Sequence, residues 1–145
     1  MAILDRQNMF SDGQALSGLS AIASTDTLDL SPLYSGVGGS NTGRDFGVGE
    51  DIYLQVTATG VSGTNPTLTI VMQTDDNSGF SSAVALHTGP ALAQASNRVQ
   101  IIPIPHTNER YLRLTYTQGG TSPTATVSAF ITDAPQAWVA TADGI

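Results

Sequence analysis

Two histidines are the residues of this chain best suited to acid–base or metal chemistry. His87 and His106 are its only histidines, and cysteine is absent, which excludes a thiolate metal site, a disulfide and a cysteine nucleophile. A serine nucleophile needs a histidine oriented by a carboxylate. Both histidines instead lie near prolines in predicted loops, no G-x-S-x-G motif occurs, and the two are too far apart for a cupin-like metal site. We therefore expect a protein that is not an enzyme.

Carboxylates at predicted loop or strand ends are the second chemical feature, since paired acids could hydrolyse glycosides or bind Ca²⁺. These acids are Asp45, Glu50, Asp51, Asp75, Asp76 and Glu109. The run from Asp75 does not fit an EF-hand, because Phe80 and Leu86 stand where Gly and Glu are required. We interpret 74–86 as a tight acidic turn in which Phe80 covers a sheet edge. Adventitious Ca²⁺ at this turn, or at Asp45, Glu50 and Asp51, is the alternative; no cofactor is predicted.

A glycine-rich stretch over 33–51 lacks hydrophobic periodicity and is predicted to be a long loop. Its segment GGSNTGRD, residues 38–45, approaches the phosphate-binding pattern GxxxxGK[ST], but Arg44 and Asp45 replace the required Lys and Ser or Thr. A dinucleotide fingerprint also fails, because Asn41 occupies the place of a third glycine and no helix is predicted to follow. We expect a surface loop without a nucleotide site.

The charge balance argues against nucleic acid and membrane partners. The 145 residues include five arginines and no lysine, and the formal net charge is −7, whereas phosphate binding needs a clustered basic surface. The N-terminal segment carries Asp5 and Arg6 instead of a continuous apolar run, so neither a secretion signal nor a membrane span is predicted. A chain of this length is expected to form one well-cored domain over 1–145.

Period-2 alternation of apolar and polar residues predicts an all-β fold. The clearest alternating stretches are 52–58, 68–74, 111–117 and 124–132. Polar, glycine-containing segments at 60–66 and 118–123 separate them in pairs, which predicts two antiparallel hairpins. Shorter strands are expected at 28–30, 84–86 and 99–104, and another within 14–23; Pro103 confines the third to an edge or a bend. The pattern predicts an antiparallel two-sheet sandwich over 24–132, an extended N-terminal arm over 1–20 and a tail over 133–145.

Three stretches resemble the Bbp16-like cement, or decoration, proteins of tailed bacteriophages. They are DRQNMFSDGQAL (5–16), QTDDNSGFSSAVAL (73–86) and ERYLRLTYTQGG (109–120). The resemblance implies a jelly roll on the outer surface of an icosahedral head, made in the host cytoplasm. It also implies partners: the protein itself, as a dimer or trimer, and the major capsid protein, whose neighbouring subunits it would bridge. Neither nucleic acid nor a membrane is expected as a partner.

Apolar residues near the two ends of the sequence are the predicted contacts with the capsid or with another copy. They are Leu4, Met9 and Phe10 in the arm and Trp138 and Val139 in the tail. The alternative function is a glycan- or receptor-binding jelly roll on a virion surface or fibre. Because sugar sites stack rings on exposed aromatics, that function requires Tyr34, Tyr53, Tyr111 and Trp138 to share one surface.

Overall fold

The fold is all-β and antiparallel. A computed structural model describes residues 6–30, 51–95, 98–107 and 109–136, and these contain eight strands and no α-helix. After a 3₁₀ turn at Arg6–Asn8, the strands are β1 (Met9–Ser17), β2 (Ile22–Ala23), β3 (Leu28–Asp29), β4 (Tyr53–Asp75), β5 (Val84–Thr88), β6 (Leu92–Ala93), β7 (Arg98–Pro103) and β8 (Tyr111–Thr132). All their pairings are antiparallel.

The long strands β4 and β8 pair with each other from end to end. Tyr53 lies opposite Thr132 at one end of this ribbon, and Asp75 lies opposite Tyr111 at the other. The predicted alternation is observed on both strands: Leu54, Val56 and Ala58 are buried, and the residues between them are partly exposed. The ribbon is therefore the central element of the sheet, and every other strand is attached to one of its two sides.

The two predicted hairpins are wrong. Segments 60–66 and 118–123 do not reverse the chain; they lie within β4 and β8 and face each other, with Ser62 opposite Thr124 and Thr64 opposite Thr121. Glycines allow the bend, since Gly63 and Gly120 have φ angles of 110° and 103°, which suit glycine far better than other residues. Because the two segments pair with each other, the backbone N–H and C=O groups that two separate turns would have paired internally are paired across the shared bend.

The short strands pair with the ribbon in nested order, which is the topology of a jelly roll. The first half of the sheet contains β1, residues 124–132 of β8, residues 53–59 of β4, and β7. The second half contains β2 and β3, residues 111–118 of β8, residues 67–75 of β4, and β5 and β6. The two sheets of the predicted sandwich are thus two halves of one hydrogen-bonded sheet that bends over on itself.

A single hydrophobic core joins the two halves. Buried residues from both belong to one cluster, namely Phe10, Leu16, Leu54, Val56, Ala58, Ile102, Val127 and Ala129 from the first half and Leu28, Leu30, Leu68, Ile70, Met72, Leu112, Leu114 and Tyr116 from the second. A hydrogen bond also crosses the interior, because the hydroxyls of Ser11 on β1 and Tyr116 on β8 lie 2.8 Å apart. Burial in this core raises the pKa of Tyr116.

The N-terminal segment from Met9 onward is a strand and not an arm. Met9–Ser17 pairs with β8, and Phe10 is 0 % exposed in the chain's own core. Register shifts between Met9 and Ser11 and between Ser11 and Gln14 explain why the apolar spacing fitted neither a helix nor a regular strand. The predicted strands near 28–30, 84–86 and 99–104 are confirmed, and β7 pairs only with β4, at the edge that its proline indicated.

Close packing at the bend predicts unequal costs for two glycine substitutions. An added Cβ at Gly120 would lie 2.6 Å from the carbonyl oxygens of Thr64 and Asn65, whereas one at Gly13 would meet nothing within 4 Å. Both glycines have positive φ, but the φ of Gly13 lies in the left-handed well that other residues can occupy and that of Gly120 does not, so both the conformational and the steric cost are larger at Gly120. We expect Gly120→Ala to lower the free energy of unfolding by about 3 kcal/mol or more, and Gly13→Ala by about 1 kcal/mol. Urea unfolding checks this, and equal losses would contradict the ribbon geometry.

Candidate functional site

The nested pairing gathers the connections between strands at two opposite ends of the molecule. At the bend end, the amide of Gly18 donates to the carbonyl of Pro123, and that of Gln94 donates to the carbonyl of Pro66. The bend-end connections 18–21, 60–66, 91–95 and 118–124 contain no charged residue. At the other end, called here the acidic end, the amide of Leu30 donates to the carbonyl of Arg110 and that of Ile104 to the carbonyl of Ile52.

Most of the candidate acids that the structure describes lie at the acidic end. Asp51 precedes β4, Asp75 ends it, Asp76 follows it, and Glu109 precedes β8. The turns after β4 and β7 are linked there by a hydrogen bond between the hydroxyls of Thr74 and Thr107, which lie 3.1 Å apart. Asp45 and Glu50 lie outside the described residues.

The carboxylate of Asp75 is used to hold the acidic turn together. It accepts hydrogen bonds from the amide of Asn77 (2.9 Å), the amide of Ser82 (2.7 Å) and the hydroxyl of Ser82 (3.0 Å), and Asp75 is only 4 % exposed. The amide of Asn77 is the largest influence that lowers the pKa of Asp75, because it stabilises the charged form. Asp75 is therefore a structural carboxylate, buried and engaged in holding the turn.

Phe80 covers the sheet beside this turn, as the sequence predicted. It is buried with a φ angle of 52°, and its amide donates to the carbonyl of Asn77 at 2.9 Å. The guanidinium of Arg113 lies 4.2 Å from the centre of the Phe80 ring, and its Nε donates to Oε1 of Gln73 at 2.9 Å. A cation over an aromatic face is attracted to it, so Arg113 fastens the turn to the outer surface of the second half.

Asp76 and Glu109 are neighbouring carboxylates at the acidic end. A hydrogen bond with Asp76 is the largest influence that raises the pKa of Glu109, and the negative charges of Asp76 and Asp75 act in the same direction. Neither histidine completes a metal site: within the described residues, no group of three or more His, Asp or Glu side chains could hold a metal ion. His87 lies on β5 opposite Met72, and His106 follows β7.

The described arginines near strand ends make contacts within the chain. Arg110 binds the carboxylate of Asp29 through two hydrogen bonds of 3.0 and 2.9 Å, and its guanidinium lies 4.8 Å from the ring centre of Tyr111. Arg98 donates to the carbonyl of Ala93 at 2.7 Å. These side chains are spread over three parts of the surface, so they form no cluster of the kind that binds phosphates.

The outer surfaces of the two halves differ in chemistry. The outward side chains of three strands of the first half form what we call the apolar outer face: Tyr53, Gln55 and Thr57 on β4, Val99, Ile101 and Pro103 on β7, and Ser128, Phe130 and Thr132 on β8. Those of the second half form the threonine face: Thr69, Val71 and Gln73 on β4, and Arg113, Thr115 and Thr117 on β8. Ile101 is 37 % exposed and lies in one row with Gln55 and Phe130. None of the nine residues of the apolar outer face is charged, although Asp12 is exposed on the neighbouring strand β1.

The predicted contact residues that the structure describes are not available for contact. Phe10 lies in the core, and Met9 is buried opposite Phe130. Leu4, Trp138 and Val139 lie outside the described residues. Sequence reasoning missed Ile101 and Phe130, although a signal was present, because Phe130 is a large apolar residue at a position of β8 where the alternation calls for a polar side chain.

The aromatic residues that a glycan-binding site would need on one surface lie apart where the structure describes them. Tyr53 lies on the apolar outer face, opposite Pro103 and Thr132. Tyr111 lies on the other half, opposite Asp29 and Asp75. Tyr34 and Trp138 lie outside the described residues. The two described rings therefore do not form one stacking surface for a sugar.

Comparison with known families decides the relationship. A family model described as Bbp16 matches residues 10–131. The chain belongs to the Bbp16 family. The matched region begins in β1 and ends in β8, so it spans nearly the whole bent sheet, and the Bbp16 family predicted from the three sequence stretches is confirmed. No curated protein matches the chain. Within the described residues of this Bbp16 family member, no helix is long and apolar enough to cross a membrane.

The two adjacent acids of the turn are predicted to respond differently to neutralisation. Asp75→Asn removes charge from a carboxylate that accepts three hydrogen bonds, and we expect it to lower Tm by roughly 5 °C or more at pH 7. Asp76→Asn is the matched control: it relieves repulsion with Glu109 and leaves Tm at pH 7 unchanged or slightly higher. Thermal unfolding followed by circular dichroism measures both.

The pH dependence separates the two effects further. Because the pKa of Asp75 is lowered in the folded chain, its contribution to stability is present above the ordinary pKa of about 3.9 and is lost as the pH falls through its folded-state pKa. Because the pKa of Glu109 is raised, its contribution to stability is present at low pH and is lost as the pH rises through its folded-state pKa. The Asp75→Asn protein should therefore lose less Tm on acidification than the wild type. Equal losses would contradict the structural role of Asp75.

Proposed function

We propose that the chain is a cement protein of a bacteriophage head, which binds the outside of the capsid and stabilises it by bridging major capsid subunits. The observation that carries this proposal is the Bbp16 match over nearly the whole jelly roll, together with the resemblance of the three sequence stretches to phage cement proteins. A binding role also suits a chain whose Asp75, Arg110 and Arg113 are used in internal contacts.

The apolar outer face is the proposed contact with the capsid. It exposes the large apolar side chain of Ile101, and the nine residues that define it carry no charge; interface cores are depleted of charged residues. The threonine face would then point to solvent, where hydroxyl and amide groups keep the particle surface hydrated. Leu4, Trp138 and Val139 stay predicted contacts of the same kind.

The size of the apolar outer face favours binding to an assembled shell over binding to a free subunit. Three strands spaced by about 4.8 Å, each contributing about six residues of 3.3 Å, present roughly 300 Å². A stable interface between two free proteins buries about 800 Å² on each partner. Contacts of this size become effective when several act together, so self-association into a dimer or trimer belongs to the proposal.

The stabilisation would follow from mass action. A protein that binds only the expanded, assembled shell lowers the free energy of that state and not of the dissociated subunits. Neither catalysis nor nucleic acid binding enters the proposal, and the outer surface of the virion is the location that it implies.

Binding to heads is the direct test. Purified protein is co-sedimented with mature heads and with unexpanded heads that lack it, and both are then heated. Saturable binding to mature heads with a higher disruption temperature would support cementing. Binding to neither, with retention on host cell-surface polysaccharide, would instead support the glycan-binding alternative.

A matched pair of edge-strand variants tests the proposed face. Ile101→Glu places a charge on the apolar outer face, and Ala85→Glu places the same charge on the exposed edge strand β5 of the other half, opposite Gln73. Because a buried unpaired carboxylate is costly, we expect Ile101→Glu to weaken head binding at least tenfold and Ala85→Glu to leave it within about twofold. Co-sedimentation titrations measure both affinities. Equal effects would show that contact is made elsewhere.

A further inference from the structure

The chain crosses the apolar outer face after it leaves β8. The strand ends at Thr132, whose hydroxyl accepts a hydrogen bond from the amide of Ala134 at 3.1 Å. Four residues after Thr132, the amide of Gln136 donates to Oε1 of Gln55 at 3.0 Å. Gln55 lies on β4, the strand next to β8, with its side chain on the apolar outer face. The backbone has therefore turned back over this face by residue 136.

The strand next to Gln55 on the side away from β8 carries Ile101, an exposed large apolar residue of that face. Ile101 on β7 lies directly opposite Gln55, on the side away from β8. Two extended residues span about 7 Å, and neighbouring strands are about 4.8 Å apart. Residue 138 therefore has enough reach from the Gln136 anchor to lie over Ile101, and position 138 is Trp, followed by Val139.

We propose that residues 137–145 bind the apolar outer face of their own chain, with Trp138 packed on Ile101. The segment AWVATADGI has one charged side chain, Asp143, which suits an uncharged surface. Its anchor at Gln136 keeps its effective concentration at this face high, so the same chain has an advantage over a second copy. An indole has the largest apolar surface that one side chain can supply.

This inference does not depend on head binding. It concerns the free protein, and it holds or fails whether or not the chain is a cement protein. If it holds, Ile101 and the tail form one composite surface, and a capsid subunit would meet Trp138 already ordered, which reduces the ordering cost of association.

The single tryptophan of the sequence makes fluorescence the test, because all indole emission comes from Trp138. We expect the wild type to emit at shorter wavelength than a solvent-exposed indole and to be protected from acrylamide quenching. Both properties should be independent of protein concentration. Emission like that of a free indole would overturn the proposal. Protection that disappears on dilution would also overturn it, by showing that the segment binds a second copy.

Matched variants locate the contact. Ile101→Glu should shift the emission to longer wavelength and remove the protection, whereas Ala85→Glu, on the edge of the other half, should change neither. Ile101→Thr is a milder second variant that tests the same contact should Ile101→Glu fail to fold, and far-UV circular dichroism verifies folding of all three. Protected emission that is unaffected by folded Ile101 variants would overturn the proposed position of Trp138.

Discussion

The end-to-end pairing of β4 with β8 is the constraint on which the remaining structure depends. Two strands of 23 and 22 residues share one ladder, so neither can bend without the other. The bend is made where left-handed residues cluster on both strands, at Gly60, Gly63 and Asn65 on one and Gly120 and Ser122 on the other. A non-glycine residue in this region costs about 1 kcal/mol or more, and the ladder offsets that cost. Once the ribbon bends, its apolar side closes on itself and the short strands can only be added at its edges.

The sequence could predict which face of each strand is buried but not how the strands are connected. Alternation identified Leu54, Val56, Leu112 and Leu114 as core because one face of each strand is buried, and all four are fully buried. Glycine-rich polar segments mark a change of backbone direction without specifying its angle, so a shared bend resembled two hairpins. The strand predicted within 14–23 overlaps only the end of β1 and the short β2, because the bulges of β1 break the two-residue period before Gln14. Phe80 was placed correctly because its turn is local, whereas the pairing of Asp76 with Glu109 depends on connections that are distant in sequence.

The distribution of charge along the molecule limits where partners can approach. Each half of the ribbon is about nine residues long, so the acidic end and the bend end are separated by roughly 30 Å. The Debye length at physiological ionic strength is about 8 Å. A chain of net charge −7 can therefore hold carboxylates such as Asp75, Asp76 and Glu109 at one end without repelling an acidic partner at the bend end, where the charged side chain beside the connections is Arg98. The same reasoning applies less strongly to the apolar outer face, whose row from Ile101 to Phe130 lies between the two ends.

The free energy gained by burying a small apolar surface, compared with the cost of association, explains how such a surface could stabilise a shell. A contact that removes roughly 300 Å² from each partner, about half of it apolar, gains about 7 kcal/mol at 25 cal/mol per Å². Association of two free molecules costs an estimated 4–15 kcal/mol, so one such contact is marginal by itself. When a first contact has already been made at a fixed lattice position, the second is intramolecular and avoids most of that cost. A weak face on each copy therefore gives little binding to free subunits and strong binding to an ordered array, which is the discrimination that the proposed function requires.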